Sequence, residues 1–186
     1  MSAITRSALG YYADFYVYPA ALFGLLVASY AMGTGVDPLM WLAAVLAGLF
    51  LWTLVEYLIH RFVLHNVVYF RDLHDQHHAS PTDLIGTPIW ISFSLLTLAV
   101  LLPSCLAFGI AKGCGFTFGV TAGYLTYSFA HHVLHHWRMV PGHPLYGWKR
   151  QHALHHFRHD EGNFGVTTLF WDHVFGTALK GPKPRN

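Results

Sequence analysis

Charge is scarce in this sequence. Asp, Glu, Lys and Arg make up 11% of the 186 residues, less than half the share usual in soluble domains. With a formal net charge of +2 there is no basic face of the kind that binds nucleic acid, so no nucleic-acid partner is expected. Cysteine is almost absent. Cys105 and Cys114 match no Cys-based zinc pattern, are expected to pack as small hydrophobes, and leave the redox compartment open. No removable leader is expected either: "MSAITRSALGYYADFYVYPAALFG" holds one arginine and no clean small-residue cleavage site.

Long apolar runs take the place of charge. A spanning helix needs about 20 mostly apolar residues, because hydrocarbon offers no partner to a backbone amide. Four stretches are read this way: residues 15–32, 39–59, 85–111 and 115–136, the last running straight into "AHHVLHH". Pro19 is expected in the first turn of its span, where a missing N–H costs least, and Pro103 is expected to kink the third. The expected fold is all-α and membrane-integral, one domain over residues 1–186 with four transmembrane helices.

Four spans put both termini on one side. Arg6, Arg61, Arg71, Arg138, Lys149, Arg150, Arg158, Lys180, Lys183 and Arg185 share it, while Lys112 stands alone in the tight connection between the third and fourth spans. The positive-inside bias makes the shared side, with both termini, cytoplasmic. Every histidine falls there too. Residues 60–84 and 137–186 are therefore expected to form a cytoplasmic, histidine-rich helical cap holding a di-metal site.

Fifteen histidines outnumber the eleven lysines and arginines together. On a helix, residues i, i+3 and i+4 share a face. His74, His77 and His78 should thus converge, as should His152, His155 and His156; His131 pairs with His135, and His132 with His136. His60 and His65 are five apart, so the helix must end or bend before His65 can join the rest. These clusters offer around ten ligands, and a transition ion takes about four to six, which points to two ions. Neutral imidazole suits iron, zinc, copper and nickel, so ligand type alone does not select the metal. His143, His159 and His173 lack the spacing and are read as ordinary surface or hydrogen-bonded side chains. Glu56 stands one turn before His60, and is expected to accept a hydrogen bond from a ligand imidazole and so fix its tautomer.

The pieces "EYLIHRFVLH", "HDQHHASPTD", "HHVLHH", "HALHH" and "NFGVTTLFWDHVFGT", spanning residues 56 to 177 in this order, resemble the integral-membrane fatty acid hydroxylase and sterol desaturase superfamily. "HHVLHH" and the tail look most like its fatty acid 2-hydroxylase branch. The resemblance implies a non-haem di-iron centre that uses O2 to hydroxylate a lipid C–H bond, most naturally on a fatty acyl chain, with zinc able to substitute on expression. Its ligand positions map onto His60, His65, His74, His77, His78, His131, His135, His152, His155 and His156. The doubled histidines at 131–132 and 135–136 allow either register for the third pair. A cytochrome b5 domain, often fused in eukaryotic members, is not recognised here, so electrons are expected from a separate protein. The short segment "NVVYFRDL" is closer to sterol-type members, and keeps a carotenoid or sterol ring open as substrate. No ER-retrieval sequence is read in "KGPKPRN", so a bacterial inner membrane is expected.

Two rivals are weaker. A zinc-dependent membrane hydrolase needs only about three protein ligands and an open position. A metal transporter would set histidines along the membrane path rather than at one face.

Overall fold

The computed structural model describes residues 7–33, 35, 37–158 and 161–181; Arg6, His159, Lys183 and Arg185 lie outside the described residues. Those described are helical where regular, with no strand among them. The order is α1 (Ala8–Tyr12), α2 (Asp14–Met32), α3 (Pro38–Leu58), α4 (Val68–Ala79), α5 (Ile89–Leu95), α6 (Leu102–Phe108), α7 (Ile110–His136), α8 (Tyr146–Arg158) and α9 (Phe170–Val174). Two π-helical turns interrupt this series, Ile59–Leu64 after α3 and Leu96–Leu101 between α5 and α6.

Local chemistry sets the boundaries. Asp37 Oδ1 accepts from the Leu39 and Met40 amides at 2.8 and 3.4 Å, and Pro38 supplies the first helical residue, so α3 opens on a cap followed by a preset φ. Gly109, at φ +81°, ends α6 in a conformation other residues resist, and α7 begins at once. Lys112 consequently lies in the first turn of α7 rather than in a connecting loop. The third apolar stretch starts four residues later than expected, because Pro88 precedes α5 as its cap. Pro103 sits in the first turn of α6, and the π turn just before it takes up the backbone disruption the ring imposes. Pro19 lies inside α2, in its second turn rather than its first, because the helix already begins at Asp14.

Three helical stretches are long and apolar enough to cross a membrane: Ala8–Met32, Pro38–Leu64 and Ile89–Phe108. They mark the chain as an integral membrane protein. Phe23, Leu46, Phe50, Leu98 and Leu106 are exposed on them, as lipid-facing side chains would be. The 27-residue α7 has the length to span but is not among the three.

The described residues divide into two compact units, one within Met1–Trp52 and Leu84–Ser128, the other within Thr53–Asp83 and Phe129–Asn186. In the first, α3 and α7 meet backbone to backbone. A Cβ added at Gly119 would overlap the Val45 carbonyl, and one at Gly48 the Phe116 carbonyl. Buried polar side chains pair within the unit: Tyr18 donates to Ser92 at 2.7 Å, and Tyr124 to Asp14 at 2.7 Å. Cys105 and Cys114 are free thiols. The second unit contains every histidine of the clusters and the tail motif.

Candidate metal centre

Ten imidazoles meet in the second unit as two groups of five. His60, His65, His74, His78 and His155 form one; His77, His131, His135, His152 and His156 form the other. Within each group the candidate ligand nitrogens all lie within 4.8 Å of one another.

Helix geometry explains the partition and corrects an expectation. Each His-x-x-His-His trio was expected to converge as one; instead each splits. Residues advance by about 100° around a helix, so i+4 lies on one side of i and i+3 on the other. The i, i+4 pair His74 and His78 stays together while His77 turns to the other group. On α8 the pair His152 and His156 stays together while His155 crosses over. α4 and α8 thus exchange one histidine each, and α7 adds the i, i+4 pair His131 and His135. His60 and His65 would point about 140° apart in an α-helix. The π turn Ile59–Leu64, with its i→i+5 repeat, brings them to one side, their rings stacked at 5.3 Å.

Hydrogen bonding alone cannot satisfy so many facing nitrogens. His74 Nε2 lies 3.0 Å from both His60 Nε2 and His78 Nε2. His135 Nε2 lies 2.8 Å from His152 Nε2, 3.1 Å from His77 Nε2 and 3.2 Å from His131 Nε2. A ring nitrogen carries at most one hydrogen, so most of these approaches set lone pair against lone pair. Protonating the rings does not relieve this. Burial first, then neighbouring imidazoles, holds His74, His152 and His156 well below the usual imidazole range, and His77 at about 3. Neutral, inward-facing donors are what a cation requires. Among the described residues, neither ring nitrogen of the half-buried His156 has a hydrogen-bond partner, a state costing about 1–3 kcal/mol per group. The cluster can bind metal.

The loop 162–168 backs the first group. His60 Nδ1–H donates to the Phe164 carbonyl at 2.5 Å, and His155 Nδ1–H to the Gly162 carbonyl at 2.9 Å. A carbonyl only accepts, so both rings carry hydrogen on Nδ1 and turn a bare Nε2 inward. Glu56 was expected to accept from such a ring itself, and the structure places it one step further out. Its Oε1 accepts from the Val166 and Thr167 amides at 2.6 and 2.8 Å, and its Oε2 from the Thr167 hydroxyl at 2.5 Å. Fully buried Asp172 holds the same loop, accepting from the Phe164 and Gly165 amides at 2.9 Å each, and it also accepts from the Thr177 hydroxyl at 2.8 Å. Asn163, at φ +56°, donates to Gln151 and accepts from the Leu179 amide. Sequence reasoning assigned no role to Asp172 or Asn163. The available signal was an acid and an amide inside an otherwise apolar tail motif.

The remaining histidines stand apart. His132 and His136 stack on each other at 4.4 Å, outside both groups. His143 and His173 are exposed. His143 Nδ1 accepts from the Leu145 amide, and His173 Nδ1 donates to the Leu169 carbonyl.

The fatty acid hydroxylase family model matches residues 45–177, taking in both histidine groups and the tail loop. This chain belongs to the fatty acid hydroxylase family. A fatty acid 2-hydroxylase from Macaca fascicularis is 32% identical over 185 residues, covering 91% of this chain and 48% of that protein. The ceramide very long chain fatty acid hydroxylase scs7 of Schizosaccharomyces pombe is 34% identical over 186 residues, covering 88% and 48%. The solved structure of full-length scs7p, in which only the hydroxylase domain is visible, aligns at TM-score 0.77 with 28% identity, over 97% of this chain and 69% of that one. These likenesses place this fatty acid hydroxylase family member in the 2-hydroxylase branch. The chain spans about half the length of these relatives. Both are eukaryotic, which lends no support to the expected bacterial membrane.

Proposed function

We propose that this chain is a membrane lipid hydroxylase holding two non-haem metal ions, iron in the working enzyme, and drawing on O2 and a separate electron-transfer protein. The two inward-facing groups of five imidazole nitrogens carry this reading. Five candidate ligands in each group exceed the four of a tetrahedral zinc site, which favours iron.

His60, His65, His74, His78 and His155 would hold one ion, and His77, His131, His135, His152 and His156 the other. Iron bound there supplies oxygen activation, which an acyl C–H bond requires because acids, bases and nucleophiles leave it untouched. The protein's own residues do the rest. The Phe164 and Gly162 carbonyls orient two rings, and burial of the imidazoles keeps them neutral and shields the centre from water. Residues 1–186 form one hydroxylase domain in this reading, with α7 as a fourth span and both termini cytoplasmic beside the histidine cap. The substrate enters from the bilayer. An acyl chain is attacked near its carboxyl end, because a centre at the ends of the spans reaches carbons close to the headgroup.

The test is mass spectrometry of membrane lipids from cells with and without the gene, supplied with labelled O2. One labelled oxygen in an acyl chain is expected. Turnover without oxygen, or a product lacking the label, removes the reading and leaves a hydrolase in front.

A further inference from the structure

The two groups differ in what stands behind them. In the His60 group, two rings are held at Nδ1 by backbone carbonyls of one loop. That loop is in turn fixed by two buried carboxylates, Glu56 and Asp172, through bonds of 2.5–2.9 Å. In the His77 group, the buried Nδ1 atoms of His77, His152 and His156 have no hydrogen-bond partner among the described residues. Hydrogen bonding at the outer nitrogen fixes the tautomer, prepays ring orientation and makes the inner nitrogen a stronger donor. A ring without it loses more rotational freedom on binding and donates less strongly.

We propose that the two metal positions are unequal. The His60 group binds its ion first and holds it more tightly; the His77 group holds the exchangeable ion; Asp172 is the positioning residue responsible for the difference. Asp172 touches no imidazole in this scheme. It acts by fixing the Phe164 and Gly165 amides, and with them the Phe164 carbonyl. This rests on the two-ion reading above.

The experiment follows zinc release to a chromogenic chelator from the full chain in lipid nanodiscs, loaded with two equivalents. Wild type should release zinc in two phases with rates at least about tenfold apart. His152→Ala should abolish the fast phase and His155→Ala the slow one. Asp172→Asn should speed the slow phase about 10–100-fold, the usual effect of losing an outer partner, and leave the fast phase alone. Thr177→Val, which removes only one of the bonds to Asp172, should shift the slow phase in the same direction by less, and covers the case in which Asp172→Asn fails to fold. A single release rate for both ions overturns the inequality, as does acceleration of the fast phase alone in either Asp172→Asn or Thr177→Val. Wild type that takes up one ion or none sinks the two-ion reading itself, an outcome distinct from two ions leaving at one rate.

Discussion

Replacing Glu56 separates two roles a buried acid can have beside histidines. Glu56 is 3% exposed, and its hydrogen bonds include two from the Val166 and Thr167 backbone amides and one from the Thr167 hydroxyl. Bonds to a charged group contribute about 1.5–3 kcal/mol each, most where water cannot replace the lost partner. Val166 is 1% exposed, so its amide would be stranded in Glu56→Ala, whereas half-buried Thr167 can recruit water. Taking about 2 kcal/mol for the Val166 bond and about 1 for each Thr167 bond gives a loss of about 4 kcal/mol. Glu56→Gln keeps one acceptor for the two amides and relieves the desolvation of a charge, so its loss should be about 1–2 kcal/mol. At about 2–4 °C per kcal/mol for a chain of this size, the melting temperature should fall about 8–16 °C for Ala and about 2–8 °C for Gln. Thermal unfolding of the detergent-solubilised protein reads this, and metal analysis on the same samples should show the Ala variant losing zinc from the loop-backed group. Two variants that melt together, within about 2 °C of wild type, would refute the view that this carboxylate anchors the loop.

Two further outcomes follow from the ligand assignment and the charge pattern. His77→Ala and His155→Ala should each lose metal and activity while His143→Ala loses neither, as elemental analysis and turnover would show; full metal content in both ligand variants would overturn the assignment. A cysteine placed at Lys112 should react with an impermeant thiol reagent only from the side opposite the histidines, and labelling from the cytoplasmic side would break the four-span topology.

Local rules in the chain determined a good deal. Apolar runs had to become helices because a lipid-buried amide has no other partner, and the i, i+4 histidine pairs had to share a helix face because neighbouring turns stack. The same rules could not say which trio member goes where. His77 and His78 are adjacent in sequence yet serve different groups, and so do His155 and His156, because two facing helices divide their histidines between two centres and each centre draws on both. The His60–His65 spacing was legible as a break in the α-helix, but a π turn in place of a bend is decided by what the two rings must meet. Glu56 was legible as a functional acid, one bond away from its observed place. The roles of Asp172, Asn163 and the Phe164 carbonyl were invisible, since they depend on more than a hundred residues of chain folding back to bring the tail against His60. Periodicity is a property of one helix; a ligand set and its supporting bonds are properties of several, and only packing settles them.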